Sequence, residues 1–561
     1  MSNVVLTRLD ASLLHQHHRS GAWRDETIYE RFRDHAQREA SAVAVRTAIG
    51  TVSYGELLDI VDRFATHLRS SGLRPGDRVA VWLPSRAETV ATFLACNREG
   101  LVACPSLHRD HTVADVAELI DRMAAKVVVY ETGYGADGPH DRLADRLEGS
   151  EVSLLIEFDP HTGRETSPLA GLTPHLPSAP AADAPVRRDP DVVTYLAFTS
   201  GTTGAPKGVM HTDNTLLAPA RAMARDWSLG PGDPVYSLSP LSHNLGFGAM
   251  VLALLTGAEL ILHDLPRGGS LARRLADTQA AFILGVPTHA IDLLAELEAG
   301  AVDGLPHLRG FRISGAAIPT RIAEALLERG IRAQSGYGMT EGGSHHYTRP
   351  DDPTELVVGT SGRPFDGHRC RVVDRDDPER ELPPGEVGQI TSEGPSVTVG
   401  YFDDQRQTEQ AFNQQGWLLT GDLGWVDEQG YIRITGRKKD LIIRGGHNIY
   451  PASIEQRATQ HPGVTHAAAI PVPHERLGEK VGLVIQPSVH GAPSPDELLA
   501  HLATSGVSRY DMPEHLAVLD RLPLTASGKV AKRELLAMLD AGELGLSDVR
   551  YVPGPNATAA P

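Results

Sequence analysis

Residues 194–212 read TYLAFTSGTTGAPKGVMHT, an apolar run that breaks into Thr199, Ser200, Gly201, Thr202, Thr203 and Gly204 before reaching Lys207. Backbone N–H groups of a glycine-rich turn, with hydroxyls among them, form a nest for phosphate oxygens, and a nearby lysine adds a positive charge. The spacing is not that of a Walker A loop, because Lys207 follows Pro206 and precedes Gly208 rather than sitting in Gly-Lys-Ser/Thr. It is not a Rossmann fingerprint either. Alone, the stretch is equally well a polar hairpin.

Four further motifs follow in order: GYGMTE (336–341), WLLTGDLGWVDEQGYIRITGRKKD (417–440), LIIRGGHNIYPASIE (441–455) and PLTASGK (523–529). Each is ordinary in isolation, a glycine turn or a solvated loop, but five in this order do not arise by chance. Together they resemble the adenylate-forming superfamily of acyl-CoA synthetases, peptide-synthetase adenylation domains and beetle luciferases, over about residues 25–540. The texture is most similar to alicyclic and terpenoid-acid CoA ligases, including the diterpenoid acyl-CoA synthetases of platensimycin-type pathways.

The resemblance implies ATP, Mg²⁺ and coenzyme A as cofactors and a small carboxylic acid as substrate. It puts the β- and γ-phosphates of ATP in the loop Thr199–Gly204, with Lys207 at its end. Tyr337 would stack on adenine, with Gly336, Gly338, Met339, Gly315, Ala316, Ala317 and Ile434 around the nucleotide. Thr340 would donate to the α-phosphate and Glu341 would hold Mg²⁺, since a carboxylate among phosphate oxygens makes sense with a hard cation between them. Asp422 would accept both ribose hydroxyls, a two-oxygen task, and Arg437 would reach the same ribose. Lys529 would bridge the acid and ATP during adenylation, offering three donors and a point charge. Catalysis of attack by one anion on another then rests on positioning and electrostatics, carried by Lys529, Lys207, Thr340, Glu341 and His243.

The resemblance also implies that a small C-terminal domain rotates about a hinge at Lys439, withdrawing Lys529 and bringing Gly445, Gly446 and His447 to the pantetheine tunnel. For the acyl group, the segment SPLSHNLGFGA (239–249) matches the helix lining the acid pocket, which makes His243, Asn244 and Phe247 substrate residues. Asn244 stands where amino-acid-activating domains carry Asp, and a buried ammonium would lack its partner there. Small residues at Gly315, Ala316, Ala317 and Gly336 predict a wide pocket, suited to a bulky alicyclic or terpenoid acid. Aryl and fatty acids, a separate carrier protein as thiol acceptor, luciferase-like oxidation and a catalytically silent nucleotide-binding regulator are the alternatives. A homodimer is left open.

These residues need elements to hold them. ETIYERFRDHAQREA and YGELLDIVDRFATHLRSSG have helical apolar spacing, while DRVAVWL, AKVVVYE, VVTYLAF, PVYSLSP, AELILHD, AFILGVP and GFRISGA read as buried strands. Alternation of this kind predicts an α/β fold of layered subdomains with partly parallel sheets, first to about residue 180 and again from 191 to about 360. A β-barrel-like subdomain follows, then a small mobile α+β C-terminal domain. The expected boundaries are 1–438 for the ATP and acyl domain, 439–540 for the C-terminal domain, and 541–561 for a disordered tail.

The totals set limits. The formal charge is 53 − 71 = −18, which argues against nucleic acid or an anionic membrane as partner. Cys96, Cys104 and Cys370 show no metal-type spacing. The first residues lack the apolar core of a signal peptide, and the longest apolar run, 248–262, contains Glu259 and is short for a spanning helix. A cytoplasmic enzyme is expected.

Overall fold

The structure is a computed structural model that describes residues 7–159, 167–180, 186–187, 189–199, 206–266, 268–315, 318–489, 491–525 and 530–551. Two parallel-rich sheets dominate it. One has six strands in the order Leu154–Phe158, Val127–Glu131, Arg78–Trp82, Val102–Cys104, Val193–Thr199 and Lys207–Thr212. The other has nine, in the order Arg363–Pro364, Gly343–Tyr347, Arg332–Met339, Gly310–Ser314, Phe282–Gly285, Val235–Ser237, Leu260–Leu262, Val43–Arg46 and Thr51–Ser53. Every strand read from an apolar run is present.

Membership of the sheets departs from the order of the chain. Val43–Arg46, from the first α/β stretch, pairs in parallel with Leu260–Leu262, whereas Val193–Thr199 and Lys207–Thr212 close the six-stranded sheet. Two consecutive α/β layers were the expectation; long-range parallel pairing, which a local pattern does not encode, interleaves them. Helices pack between the sheets in one continuous core that takes in Phe64, Phe93, Tyr195, Phe247 and Met250. Ala87–Glu99 is buried nearly all round and Asn244–Thr256 is apolar on almost every face, as helices enclosed on both sides must be.

The β-rich segment is a four-stranded antiparallel meander of Arg369–Val373, Gly388–Glu393, Leu418–Val426 and Ile432–Arg437. Beyond the short 3₁₀ turn Lys438–Asp440, residues 442–551 form an α+β unit. Its cores, around Leu483 and Leu502 and around Val484 and Leu535, share no member with those upstream. The expected disordered tail is corrected up to residue 551. Leu544 is buried, Ser547 and Asp548 pair with Leu516 and His515, and the Val549 N–H donates to the Glu514 carbonyl at 2.9 Å. These residues complete an edge of the C-terminal sheet, a role their polar composition hides. Among the described residues, no helix is long and apolar enough to cross a membrane.

Candidate active site

Asp422 and Arg437 face each other across the last two strands of the meander, and Tyr337 reaches them from the nine-stranded sheet. The Tyr337 hydroxyl donates to Asp422 Oδ2 at 2.6 Å, and Arg437 Nε forms an ion pair with Oδ1 at 3.0 Å. Burial, reinforced by the Asp422 charge, pushes the Tyr337 phenol far above its ordinary range, so it remains a donor. A carboxylate has about four lone-pair sites. Tyr337 takes one and the Arg437 charge lies against the other oxygen, which leaves capacity for two further hydroxyl donors. Ile434 lies partly buried on the same hairpin, opposite Gly424.

A second group forms where the six-stranded sheet meets residues 398–402. Thr199 and Lys207 are register partners at the ends of an antiparallel pair. The loop residues Ser200, Gly201, Thr202, Thr203 and Gly204 lie outside the described residues, as do Ala316, Ala317 and Lys529. Lys207 Nζ sits 5.4 Å over the Tyr401 ring, and the Tyr401 hydroxyl donates to Glu341 Oε1 at 2.9 Å. The Thr398 N–H donates to the Glu341 carbonyl at 2.6 Å. Thr340 is held from below: its carbonyl lies 2.7 Å from His211 Nε2, whose other nitrogen meets the Thr215 hydroxyl at 3.0 Å. Burial pushes the His211 imidazole down to about 4, so the ring is neutral at pH 7, and its bonds assign the proton to Nε2. Among the described residues no set of three metal-type side chains gathers. The donor set fits Mg²⁺ all the same, because that ion is commonly held by one carboxylate together with substrate phosphates and water.

The acyl side lies against the helix Asn244–Thr256, which starts just after His243. A cavity there is lined by Asn244, Phe247, Met223, Leu284, Gly343 and His211, among others. Phe247 stacks on Tyr195 at 4.1 Å, and His243 stacks on His108 at 4.1 Å and 14°. Asn244 Nδ2 stands 3.5 Å from the Met339 carbonyl. Gly338 packs directly against the Gly343 carbonyl, with no room for a side chain. The reading of Gly336 as a source of pocket width is corrected: a Cβ there would lie 2.6 Å from the Arg312 guanidinium, so the missing side chain makes room for Arg312. Gly315 lies in the left-handed region at φ 95°, which sets the chain turn after Ser314.

The C-terminal residues keep to their own unit. Gly445 and Gly446 are the two-residue loop of the hairpin Ile442–Arg444 and His447–Ile449, at φ 58° and 86°. His447 Nε2 lies 2.8 Å from Asp511 Oδ1. Arg444 is engaged by both oxygens of Glu514 at 3.0 and 2.8 Å, which accounts for its charge within the protein. Lys439 is exposed in the turn joining the meander to this unit. The bonds of this hairpin therefore do not reach Asp422, Tyr337 or Glu341.

Sequence reasoning passed over His211, Tyr401 and Arg312. His211 carried a signal, standing four residues beyond Lys207 on the same strand. Arg312 carried a stronger one, a charge inside GFRISGA in a buried parallel sheet, where charged side chains are rare. Tyr401 had none, because only tertiary packing brings it to Glu341.

The AMP-binding enzyme family matches residues 32–402 of the chain, and the AMP-binding enzyme C-terminal domain matches 453–529. A medium-chain fatty-acid–CoA ligase of Escherichia coli (strain K12) is 33% identical over 516 residues, 91% of this chain and 90% of that one. The 3-[(3aS,4S,7aS)-7a-methyl-1,5-dioxo-octahydro-1H-inden-4-yl]propanoyl:CoA ligase of Mycobacterium tuberculosis is 34% identical over 491 residues, 86% and 92% of the two chains. ATP-bound MatB from Rhodopseudomonas palustris superposes with a TM-score of 0.80 at 29% identity, covering 93% of this chain and all of that one. The chain belongs to the AMP-binding enzyme family of adenylate-forming enzymes. It is an acid–thiol ligase of the AMP-forming type, for which ATP, Mg²⁺ and coenzyme A are the cofactors.

Proposed function

We propose that the enzyme activates a bulky cyclic carboxylic acid, alicyclic or terpenoid, as its acyl-AMP and then transfers the acyl group to coenzyme A. The observation that carries this reading is the convergence of Asp422–Tyr337–Arg437 and Glu341–Tyr401–Lys207 around Thr340, beside an apolar cavity. Asp422 and Arg437 hold the ribose, Tyr337 packs on adenine, and the loop 199–204 with Lys207 takes the terminal phosphates. Glu341 would hold Mg²⁺, which would supply positive charge against the phosphates. His211 fixes the Thr340 backbone, so that Thr340 meets the α-phosphate in a set geometry. Lys529 then orients the acid carboxylate for attack, and pyrophosphate leaves.

For the second step the unit beyond Lys439 rotates, with 1–438 and 439–540 as the two moving parts. Lys529 withdraws and the Gly445–Gly446 turn brings the thiol in. A bulky cyclic acid is supported by the apolar cavity walls and by the indane-type acid named for the Mycobacterium relative. The narrower likeness to diterpenoid-acid ligases rests on sequence texture alone. A cytoplasmic setting belongs to this reading, in keeping with three free cysteines.

The test is mass spectrometry of reactions with ATP, Mg²⁺ and CoA against cyclohexane-type, terpenoid, aryl, fatty and amino acids. Acyl-CoA with AMP and pyrophosphate from one cyclic class is the expected result. Acyl-AMP without acyl-CoA would move the acceptor to a separate carrier protein. Preference for a straight fatty or aryl acid would overturn the cyclic assignment.

A further inference from the structure

The cavity beside Asn244–Thr256 has walls on two strands that are not neighbours. Leu284 comes from Phe282–Gly285, and Gly343 and Ser344 from Gly343–Tyr347. The sheet order puts Gly310–Ser314 and Arg332–Met339 between them. Register partners share a face of a sheet. Leu284 is opposite Arg312, Arg312 opposite Gln334, and Ser314 opposite Gly336, so Arg312 stands on the face of the sheet that bears the cavity, next to the lining residue Leu284 and not itself part of the lining.

Arg312 is 0% exposed. Its Nη1 donates to Gln334 Oε1 at 3.0 Å, and its guanidinium lies 5.4 Å over the Tyr347 ring. Its Nε and Nη2 have no partner among the described residues, and neither do Gln334 Nε2 and His345 Nε2 beside it. Burial draws the Arg312 pKa down to about 10, which leaves the group charged at pH 7. A buried cation with no anion is costly, and replacing such a group by an apolar one of similar volume is often neutral or stabilising. A guanidinium with an idle edge matches the two oxygens of a carboxylate. Gly336 is what admits it, because any side chain there would collide with it.

The reacting carboxylate is committed elsewhere under the reading above, on which this inference rests. Thr340 lies four residues beyond Gly336, roughly 13 Å along an extended chain. An anion paired with Arg312 is therefore a different group of the substrate. We propose that the acid activated here carries a second carboxylate, on the order of 10 Å from the reacting one, which pairs with the unpartnered edge of Arg312. The substrate class is then a dicarboxylic acid with a ring or chain of that span.

The experiment compares diacids with their own monomethyl esters: straight-chain diacids of graded length and trans-cyclohexane-1,4-diacetic acid. It measures kcat/KM for acyl-CoA formation with the wild type, Arg312→Met and Arg312→Lys. For at least one span the wild type should favour the free diacid by about 100-fold or more, the scale for leaving a buried charge unpaired. Arg312→Met should abolish that ratio, and Arg312→Lys should keep part of it. Thermal unfolding gives a readout independent of turnover. The ligand-free Arg312→Met enzyme should melt no lower than the wild type, and a diacid should raise Tm of the wild type alone. A structural cation predicts the reverse, a lower Tm and equal loss on both substrates, and that result overturns the proposal. So do half-esters that match their diacids at every span. If no acid yields acyl-AMP, the ligase reading fails, while diacid-specific stabilisation of the wild type still supports the Arg312 subsite and its absence refutes it.

Discussion

Asp422 accepts from Tyr337 and is ion-paired with Arg437 at once, and it retains lone pairs for two more donors. A ribose diol is the natural claimant for them. Asp422→Asn keeps the shape but replaces one acceptor oxygen with a donor and removes the charge opposite Arg437. The KM for ATP should rise about tenfold or more, as expected for losing hydrogen bonds to a charged group worth about 1.5–3 kcal/mol, with a smaller change for the acid. Steady-state pyrophosphate release with ATP and 2′-deoxy-ATP checks this. The wild type should discriminate between the two nucleotides and the variant should not; equal discrimination by both would remove Asp422 from the ribose. At this scale the sequence spoke clearly for Tyr337, Thr340, Glu341 and Asp422, because their motifs are contiguous. It was silent on Tyr401, which has no contiguous partner and gains its role only by packing against Glu341.

Gly445 and Gly446 both take positive φ in a two-residue hairpin, the geometry of a type I′ turn. Their glycines thus have a local structural cause besides any need for bare backbone near a thiol. Alanine at both places a Cβ in the left-handed region, at about 1–2 kcal/mol per residue. If the turn also guides the pantetheine, single-turnover thioester formation from preformed acyl-AMP should slow at least tenfold, while adenylation stays within about twofold, as differential binding of one transition state requires. Lys529→Ala should show the opposite pattern. Two variants that each impair both steps would refute a two-state cycle. Elements of this kind were legible as elements. Apolar runs such as VVTYLAF and GFRISGA announced strands, yet the same runs hold no information about neighbours. That is why Val43–Arg46 turns up beside Leu260–Leu262.

Across the whole molecule, buried imidazoles tie stability to pH. Burial lowers His211 to about 4, and burial aided by Arg312 lowers His345 to about 3. Their unfolded counterparts titrate near 6.5. Between those values the unfolded chain binds more protons, so these groups contribute fully above about pH 6.5 and their contribution falls as pH drops toward 4. Each accounts for about 2 kcal/mol at pH 5. Asp213, raised by burial to about 6, works in the opposite sense and returns about 1 kcal/mol over the same interval. The urea midpoint should therefore fall between pH 7 and pH 5; a flat or rising midpoint would show that these histidines are hydrated in solution.

The sequence alone determined the reaction class. Adenylation depends on short contiguous stretches, a glycine loop, GYGMTE, TGDLG and SGK, whose residue types survive reading without coordinates. It also determined the elements, since period and apolar run follow from local burial. Tertiary structure alone decided which strands share a sheet, that His211 and Tyr401 brace Thr340 and Glu341, and that Gly336 yields its space to Arg312. Each of these is a contact between residues distant in the chain, fixed by packing that no local pattern encodes.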